Sequence, residues 1–243
     1  MSQPLVTVVT VCYNAGTMLS KTMESVGKQS YPNLEYIIVD GGSTDGTQEI
    51  LRDYKGKLDK FISEKDNGIY DAMNKGVQLS SGDWIIFMNA GDTFYDRDTI
   101  ANIFSNPIPE EVKVVYGDVA KPDSEGSLSI KRAQQPHNSH RMFFCHQSAF
   151  ARRESLIEHP FDTRHRLSAD FKFFKTLILN GDRFMYVNTP ISVFDVTGVS
   201  NSSRSKGLKD NISVIKELDS LSDKLRLLPR LYFTYLMCRF RGK

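Results

Sequence analysis

Four short polar clusters, each directly behind an apolar run, hold the side chains of this 243-residue chain best suited to chemistry. They are Tyr13-Asn14, Asp40-Gly41-Gly42-Ser43, Glu64 to Gly68 with Asp66 and Asn67 inside it, and Asn89-Ala90-Gly91-Asp92. Carboxylates and amides of this kind accept hydrogen bonds from a base or a ribose, and carboxylates also carry a divalent cation. Phosphate can instead be cradled by a glycine-rich loop at a helix start, but no GxxxxGK(S/T) occurs and no GxGxxG follows the first apolar run. The acidic clusters therefore suit a nucleotide whose diphosphate is neutralised by Mg2+ or Mn2+. Gly91, with no side chain, lets the backbone beside Asp92 approach a ligand closely.

Such clusters work together only if the elements before them run side by side. Leu5–Cys12, which contains Thr10, is a near-continuous β-branched run and predicts a strand buried on both faces. Leu34–Asp40, Lys60–Ser63 and Asp83–Met88 predict further strands. Helical spacing marks Thr17–Gln29, Thr44–Tyr54 and Ile69–Leu79 between them. This alternation predicts an α/β fold with a largely parallel sheet, whose ligands bind at the carboxyl ends of the strands, where the four clusters fall. Further on, the pattern predicts a strand at Val112–Gly117, a hairpin within Asp118–Arg132 and a helix at Ser168–Leu179. Short strands at Arg183–Val187 and Ile191–Phe194 and a helix at Lys206–Leu221 complete the reading.

Composition is that of a soluble globular protein, with 40% hydrophobic and 25% charged residues. A net charge of +2 gives no sign of nucleic acid, and three cysteines without CxxC spacing suit a reducing cytoplasm. The N-terminal residues do not read as a secretory leader, and no run approaches the length of a membrane span. Charge is uneven. Residues 223–243 carry six basic side chains and one acid among many aromatic and aliphatic residues. That composition reads either as an interfacial membrane helix or as a helix packed on the domain.

The segments Thr7-Val-Val-Thr-Val-Cys-Tyr-Asn14, Val39-Asp-Gly-Gly-Ser-Thr-Asp-Gly-Thr47, Asp66-Asn-Gly-Ile-Tyr-Asp-Ala-Met-Asn-Lys-Gly76 and Gly82-Asp-Trp-Ile-Ile-Phe-Met-Asn-Ala-Gly-Asp92 resemble, in order and spacing, the family 2 glycosyltransferases. The resemblance covers residues 5–95 and, more loosely, 146–200. It implies a GT-A (Rossmann-like) mixed, mostly parallel sheet flanked by helices, with residues 1–205 as the transferase domain. Residues 1–95 would be its nucleotide-sugar half and 96–205 its acceptor half, followed by a basic helical extension over 206–243. It also implies an inverting, non-processive transfer of one sugar from a nucleotide-diphosphate donor, a UDP-sugar by preference, to a saccharide or lipid-linked saccharide at the cytoplasmic membrane face. By the same resemblance, Thr10, Tyr13, Asn14, Asp40, Gly41, Ser43, Asp66, Asn67, Gly68, Lys75, Asn89, Ala90 and Gly91 are expected around the donor. Asp92 matches the last acid of the metal-binding DxD motif, whose first position is here Ala90. Asp170 in Leu167-Ser-Ala-Asp-Phe-Lys-Phe-Phe174 matches the catalytic base, with Ala169 where an acid is usual. His146-Gln147 matches an acceptor-side stretch, and Thr197-Gly-Val-Ser200 a loop over the diphosphate.

Each assignment has a plainer competitor. Asp170 would sit in a first helical turn, where acids are common, and Asp40 and Asp92 could be ordinary turn acids. His146 could be a structural histidine, and His137, His140, His159 and His165 show no metal-ligand spacing. Two other functions remain open. A sugar-1-phosphate nucleotidyltransferase would need a basic glycine-rich loop after the first strand. A non-catalytic nucleotide-sugar-binding subunit would explain Ala90 and Ala169.

Overall fold

The computed structural model describes residues 3–54, 56, 58–123, 125–195 and 204–240. The first half alternates as the sequence predicts. Strand β1 (Val6–Cys12), helix α1 (Gly16–Gly27), β2 (Leu34–Asp40), α2 (Thr47–Tyr54), β3 (Lys60–Ser63), α3 (Ile69–Leu79) and β4 (Trp84–Phe87) follow in order. β3, β2, β1 and β4 lie side by side and parallel, with Cys12 paired to Asp40 and Asp40 to Ser63. Their carboxyl ends therefore form one rim.

β1 is buried along its whole length. With period-2 alternation, Val9 and Val11 face α3 through Tyr70, Met73 and Val77, while Val6 and Val8 face α1 and α2 through Leu19, Met23, Val26 and Leu51. The sheet is thus a layer between two apolar cores.

Beyond β4 the sheet is mixed. β5 (Thr93–Phe94) and α4 (Thr99–Ile103) lead into β6 (Val112–Pro122), which turns back as β7 (Leu128–Lys131), the predicted hairpin. A 3-10 turn (His146–Ser148), β8 (Ala149–Arg152) and α5 (Arg153–Glu158) follow, and β8 is inserted antiparallel between β4 and β6. Next come α6 (Ala169–Asn180), ended by Gly181, and β9 (Arg183–Val193). The two short strands predicted at 183–194 are one strand. The register slips between Tyr116↔Tyr186 and Asp118↔Pro190, so the chain bulges at 187–189 without leaving the sheet.

Helices α7 (Arg204–Leu218) and α8 (Leu221–Phe240) close the chain. Phe171 of α6 shares a cluster with Ile212, Val214 and Ile215 of α7 and Leu227 and Leu231 of α8. The extension is therefore packed on the helix whose first turn holds Asp170. α8 also leaves a second apolar face outside.

One polar knot fixes the strands at the end opposite the rim. The buried Glu35 carboxylate accepts from Thr7 Oγ1 (2.6 Å), Lys60 Nζ (2.8 Å), Ser81 N (2.8 Å) and Ser81 Oγ (2.6 Å). Burial alone would raise its pKa, but these donors overcome it and hold it at about 2. A lowered carboxylate pKa contributes stability at neutral pH that is lost as pH falls from about 4 towards 2. Glu35→Gln is expected to destabilise the fold by about 2 kcal/mol at pH 7 and to flatten that acid slope, as read by urea unfolding across pH.

Candidate active site

The rim at β1, β2 and β3 brings the first three clusters together. Asn14 sits at φ 48° and its N–H donates to Ser43 Oγ (2.7 Å), while its Oδ1 accepts from Thr44 N (2.9 Å). The Asp66 carboxylate and the Tyr13 ring both crowd Gly41, where any side chain would collide with the carboxylate. Tyr13 is 65% exposed, an aromatic surface open to a ligand. Asp66 Oδ1 accepts from Gly68 N (2.8 Å), and Asn67 N donates to Asp71 Oδ2 (2.9 Å), so α3 starts at a fixed place on the rim. Lys75 lies on α3 with its ammonium 2.7 Å from Glu64 Oε1 and donating to the Lys65 carbonyl, and it braces the loop after β3.

Two residues expected around the donor have buried side chains with partners inside the fold. Thr10 is fully buried. It shares the β1 face of Val8 and Cys12, and its hydroxyl bonds the Met88 carbonyl (2.8 Å) and Tyr36 Oη (3.1 Å). It braces strands and does not face the rim. Asp40 is also fully buried, accepting from Ser63 Oγ (2.6 Å), Ser43 N and the Ser43 hydroxyl. Its carboxylate ties the second cluster to β3.

The fourth cluster lies beside β1 and is closed by a residue the sequence reading missed. Asp92 Oδ1 accepts from the backbone N–H of Asp195 (2.8 Å), just past β9. Gly91 has φ 104°, and a Cβ there would lie 2.6 Å from Asp195 Oδ2. Glycine is thus required both by conformation and by the approach of a second carboxylate. Asp195 stands where Ala90 supplies none. Thr22 holds the loop by donating to the Asp92 carbonyl (2.7 Å) and accepting from Gly91 N (2.9 Å). Burial pushes the Asp92 carboxyl up to about 6, only partly offset by the Asp195 N–H, His146 and Gln147. Asn89 Oδ1 is buried nearby with no hydrogen-bond partner among the described residues. Oxygen donors with a desolvated carboxylate among them fit a hard divalent cation.

Asp170 stands in the first turn of α6. Oδ1 accepts from Tyr70 Oη (2.7 Å), and Oδ2 lies 3.1 Å from His146 Nδ1. Burial raises its pKa, but His146 and Tyr70 outweigh burial and hold it below the ordinary range. The carboxylate is therefore ionised at neutral pH. His146 Nε2 lies 3.5 Å from Asn89 Nδ2, and both His146 and the next residue, Gln147, are near enough to Asp92 to favour its charged form. Two consecutive residues thus act on two carboxylates 78 positions apart in sequence. The pair predicted on the acceptor side lies by both Asp170 and Asp92.

Tyr70 is the second residue that spacing could not reveal, since its partner is 100 positions away. Tyr70→Phe removes one donor to Asp170, so the acid limb of the pH–rate profile is expected to move upward. The rate at neutral pH should fall by less than about tenfold.

Elsewhere, Asp162, His165 and Glu217 come within 4.8 Å of one another, a cluster that sequence spacing did not reveal. Lys172 Nζ (2.7 and 2.5 Å) and the Arg164 guanidinium (2.6 and 3.1 Å) already neutralise both carboxylates. With Asp210 on His165 Nδ1 (2.8 Å), the cluster clamps α7 to the start of α6. Thr197–Ser200 lies outside the described residues.

The profile described as Glycosyl transferase family 2 matches residues 7–168. A PGL/p-HBAD biosynthesis glycosyltransferase of Mycobacterium bovis (strain BCG / Pasteur 1173P2) is 31% identical over 182 residues, covering 71% of this chain and 69% of that protein. Among solved structures, the mannosyltransferase PcManGT from Pyrobaculum calidifontis, in complex with GDP-Man and Mn2+, superposes with a TM-score of 0.70 at 20% identity. The match covers 89% of this chain and 64% of that one. TarS of S. aureus gives a TM-score of 0.66 at 17% identity, over 88% of this chain but only 39% of that one, and its residues 1–349 have been solved in complex with UDP. These two structures share the GT-A fold with this chain, which spans less than two thirds of either. Fold, motif order and the matched profile agree: the chain belongs to glycosyl transferase family 2 and is a glycosyltransferase.

Proposed function

We propose that this chain transfers a single sugar, with inversion, from a UDP-sugar to a hydroxyl of a saccharide or lipid-linked saccharide in surface-polysaccharide assembly at the cytoplasmic membrane face. The observation that carries this reading is His146, whose Nδ1 lies 3.1 Å from Asp170 and whose ring is near enough to Asp92 to favour its charged form. On this reading Asp92 would bind the cation beside a carboxylate, Asp170, suited to accept a proton.

Residues 1–95 would hold the donor, with Tyr13 and Asp66 at the nucleoside end and Asp92 with Asp195 at the diphosphate. Residues 96–205 would hold the acceptor, and 206–243 the extension. Asp92 and Asp195 would hold Mg2+ or Mn2+, which supplies Lewis-acid stabilisation of the leaving diphosphate. The acceptor oxygen attacks the anomeric carbon as its proton passes to Asp170. The bond from that carbon to the diphosphate oxygen breaks, and the nucleoside diphosphate departs. Solved structures holding UDP and GDP-Man with Mn2+ support a nucleotide-sugar donor.

A thermal-shift screen of nucleotide sugars with and without Mn2+ tests this reading. A UDP-sugar with Mn2+ is expected to raise the melting temperature by several degrees, and the same donor with a chelator by far less. Stabilisation by a nucleoside triphosphate together with a sugar 1-phosphate would overturn it in favour of a nucleotidyltransferase.

A further inference from the structure

We infer that the outward face of α8 docks on an anionic lipid surface, with the helix lying in the plane of the interface. Leu227, Leu231 and Cys238 turn inward and are buried. Leu225, Pro229, Phe233, Leu236 and Phe240 recur at i, i+4, i+8, i+11 and i+15, which places all five on the opposite face. They are exposed there, Leu225 at 71%, Phe233 at 67% and Phe240 at 86%. A soluble surface rarely carries an apolar stripe of this length, about 22 Å from Leu225 to Phe240, without something to cover it.

Charge identifies what covers it. Exposed Arg226 and Arg230 run along one side of the stripe and exposed Arg239 along the other. The single acid of the helix, Asp223, is already paired to Arg226 (2.7 Å). Apolar and aromatic residues between rows of basic side chains suit acyl chains below an anionic headgroup layer. A second copy fits less well, because stacking α8 on α8 brings like-charged arginines together. Spanning is excluded for these helices: among the described residues, none is long and apolar enough to cross a membrane.

Docking would also place the chemistry. Leu227 and Leu231 of α8 pack with Phe171, the neighbour of Asp170, so the surface that holds α8 also holds the first turn of α6. An acceptor anchored in the same surface would arrive at a fixed height relative to Asp170.

Co-sedimentation of the full chain with phosphatidylcholine vesicles, with and without phosphatidylglycerol, tests the inference. The chain is expected to pellet with the anionic vesicles, weakly with the neutral ones, and less at high salt. The triple variant Phe233→Ser, Leu236→Ser, Phe240→Ser should bind anionic vesicles about tenfold or more weakly while melting at the wild-type temperature, because all three side chains point outward. Arg230→Gln with Arg239→Gln should remove the preference for anionic lipid. Equal pelleting of wild type and triple variant would overturn the inference, as would wild type left in the supernatant. A dimer in sedimentation velocity that the triple variant abolishes, without vesicle binding, would assign the face to a second copy. Donor-induced thermal shift in both proteins keeps this result separate from the transfer reading.

Discussion

Asp170→Asn is expected to lower sugar transfer by about a thousandfold while leaving the donor-induced thermal shift close to wild type. The amide is isosteric with the carboxylate and can keep one hydrogen bond each to Tyr70 and His146, so α6 should start where it does now. It cannot accept a proton at any working pH. Donor binding is expected to survive because the nucleoside end, at Tyr13, Gly41 and Asp66, is built by β1, β2 and the loop after β3. The competing view makes Asp170 an ordinary first-turn acid. Its replacement would then cost about 1 kcal/mol of stability and leave transfer nearly intact. Single-turnover rates of the two proteins, each saturated with donor, decide the matter. Transfer within about tenfold of wild type would remove Asp170 from the chemistry, and loss of the thermal shift would move it to donor binding.

The elements that carry the rim were legible because their signals are local. Leu34–Asp40, Lys60–Ser63 and Ile69–Leu79 occur with the predicted bounds. Each is a short run of β-branched or helically spaced apolar residues, stopped by turn chemistry. Helix α2 starts later than predicted, at Thr47, because Asp45 Oδ1 accepts from Thr47 N (3.1 Å) and Thr47 Oγ1 (2.5 Å) and caps it there. Side-chain direction was less legible than strand position. Thr10 lies on the predicted strand but on the face of Val8, where its hydroxyl serves Met88. Asp40 ends the predicted strand, yet the Gly41-Gly42 turn folds Ser43 back onto its carboxylate. Asp195 and Tyr70 were not legible at all. Each works through a residue about a hundred positions away, and only the completed sheet brings such pairs into contact.

Asp92→Asn is expected to make the metal-free protein more stable and less functional at once. The buried carboxyl has its pKa pushed up to about 6, so at neutral pH the fold holds a desolvated charge that costs it roughly 3 kcal/mol relative to the unfolded chain. The sign follows from proton binding. Between about pH 4 and 6 the native state keeps this proton and the unfolded state does not, so metal-free stability declines as pH rises through that window and levels off above it. Asparagine can still accept from Asp195 N but carries no charge. The variant should therefore lose the decline and melt several degrees higher at pH 7 without metal. A cation takes the place of the proton, so the stabilisation of wild type by Mn2+ should grow over the same pH window, and the variant should lose it together with metal-dependent donor binding. Asp195→Asn keeps the backbone N–H that Asp92 uses and should weaken the Mn2+ effect without raising metal-free stability. Melting curves of the three proteins across pH, with Mn2+ or a chelator, separate these effects. A variant at Asp92 that melts no higher than wild type without metal, yet still responds to Mn2+, would show that the cation is held elsewhere and that this carboxylate serves the fold alone.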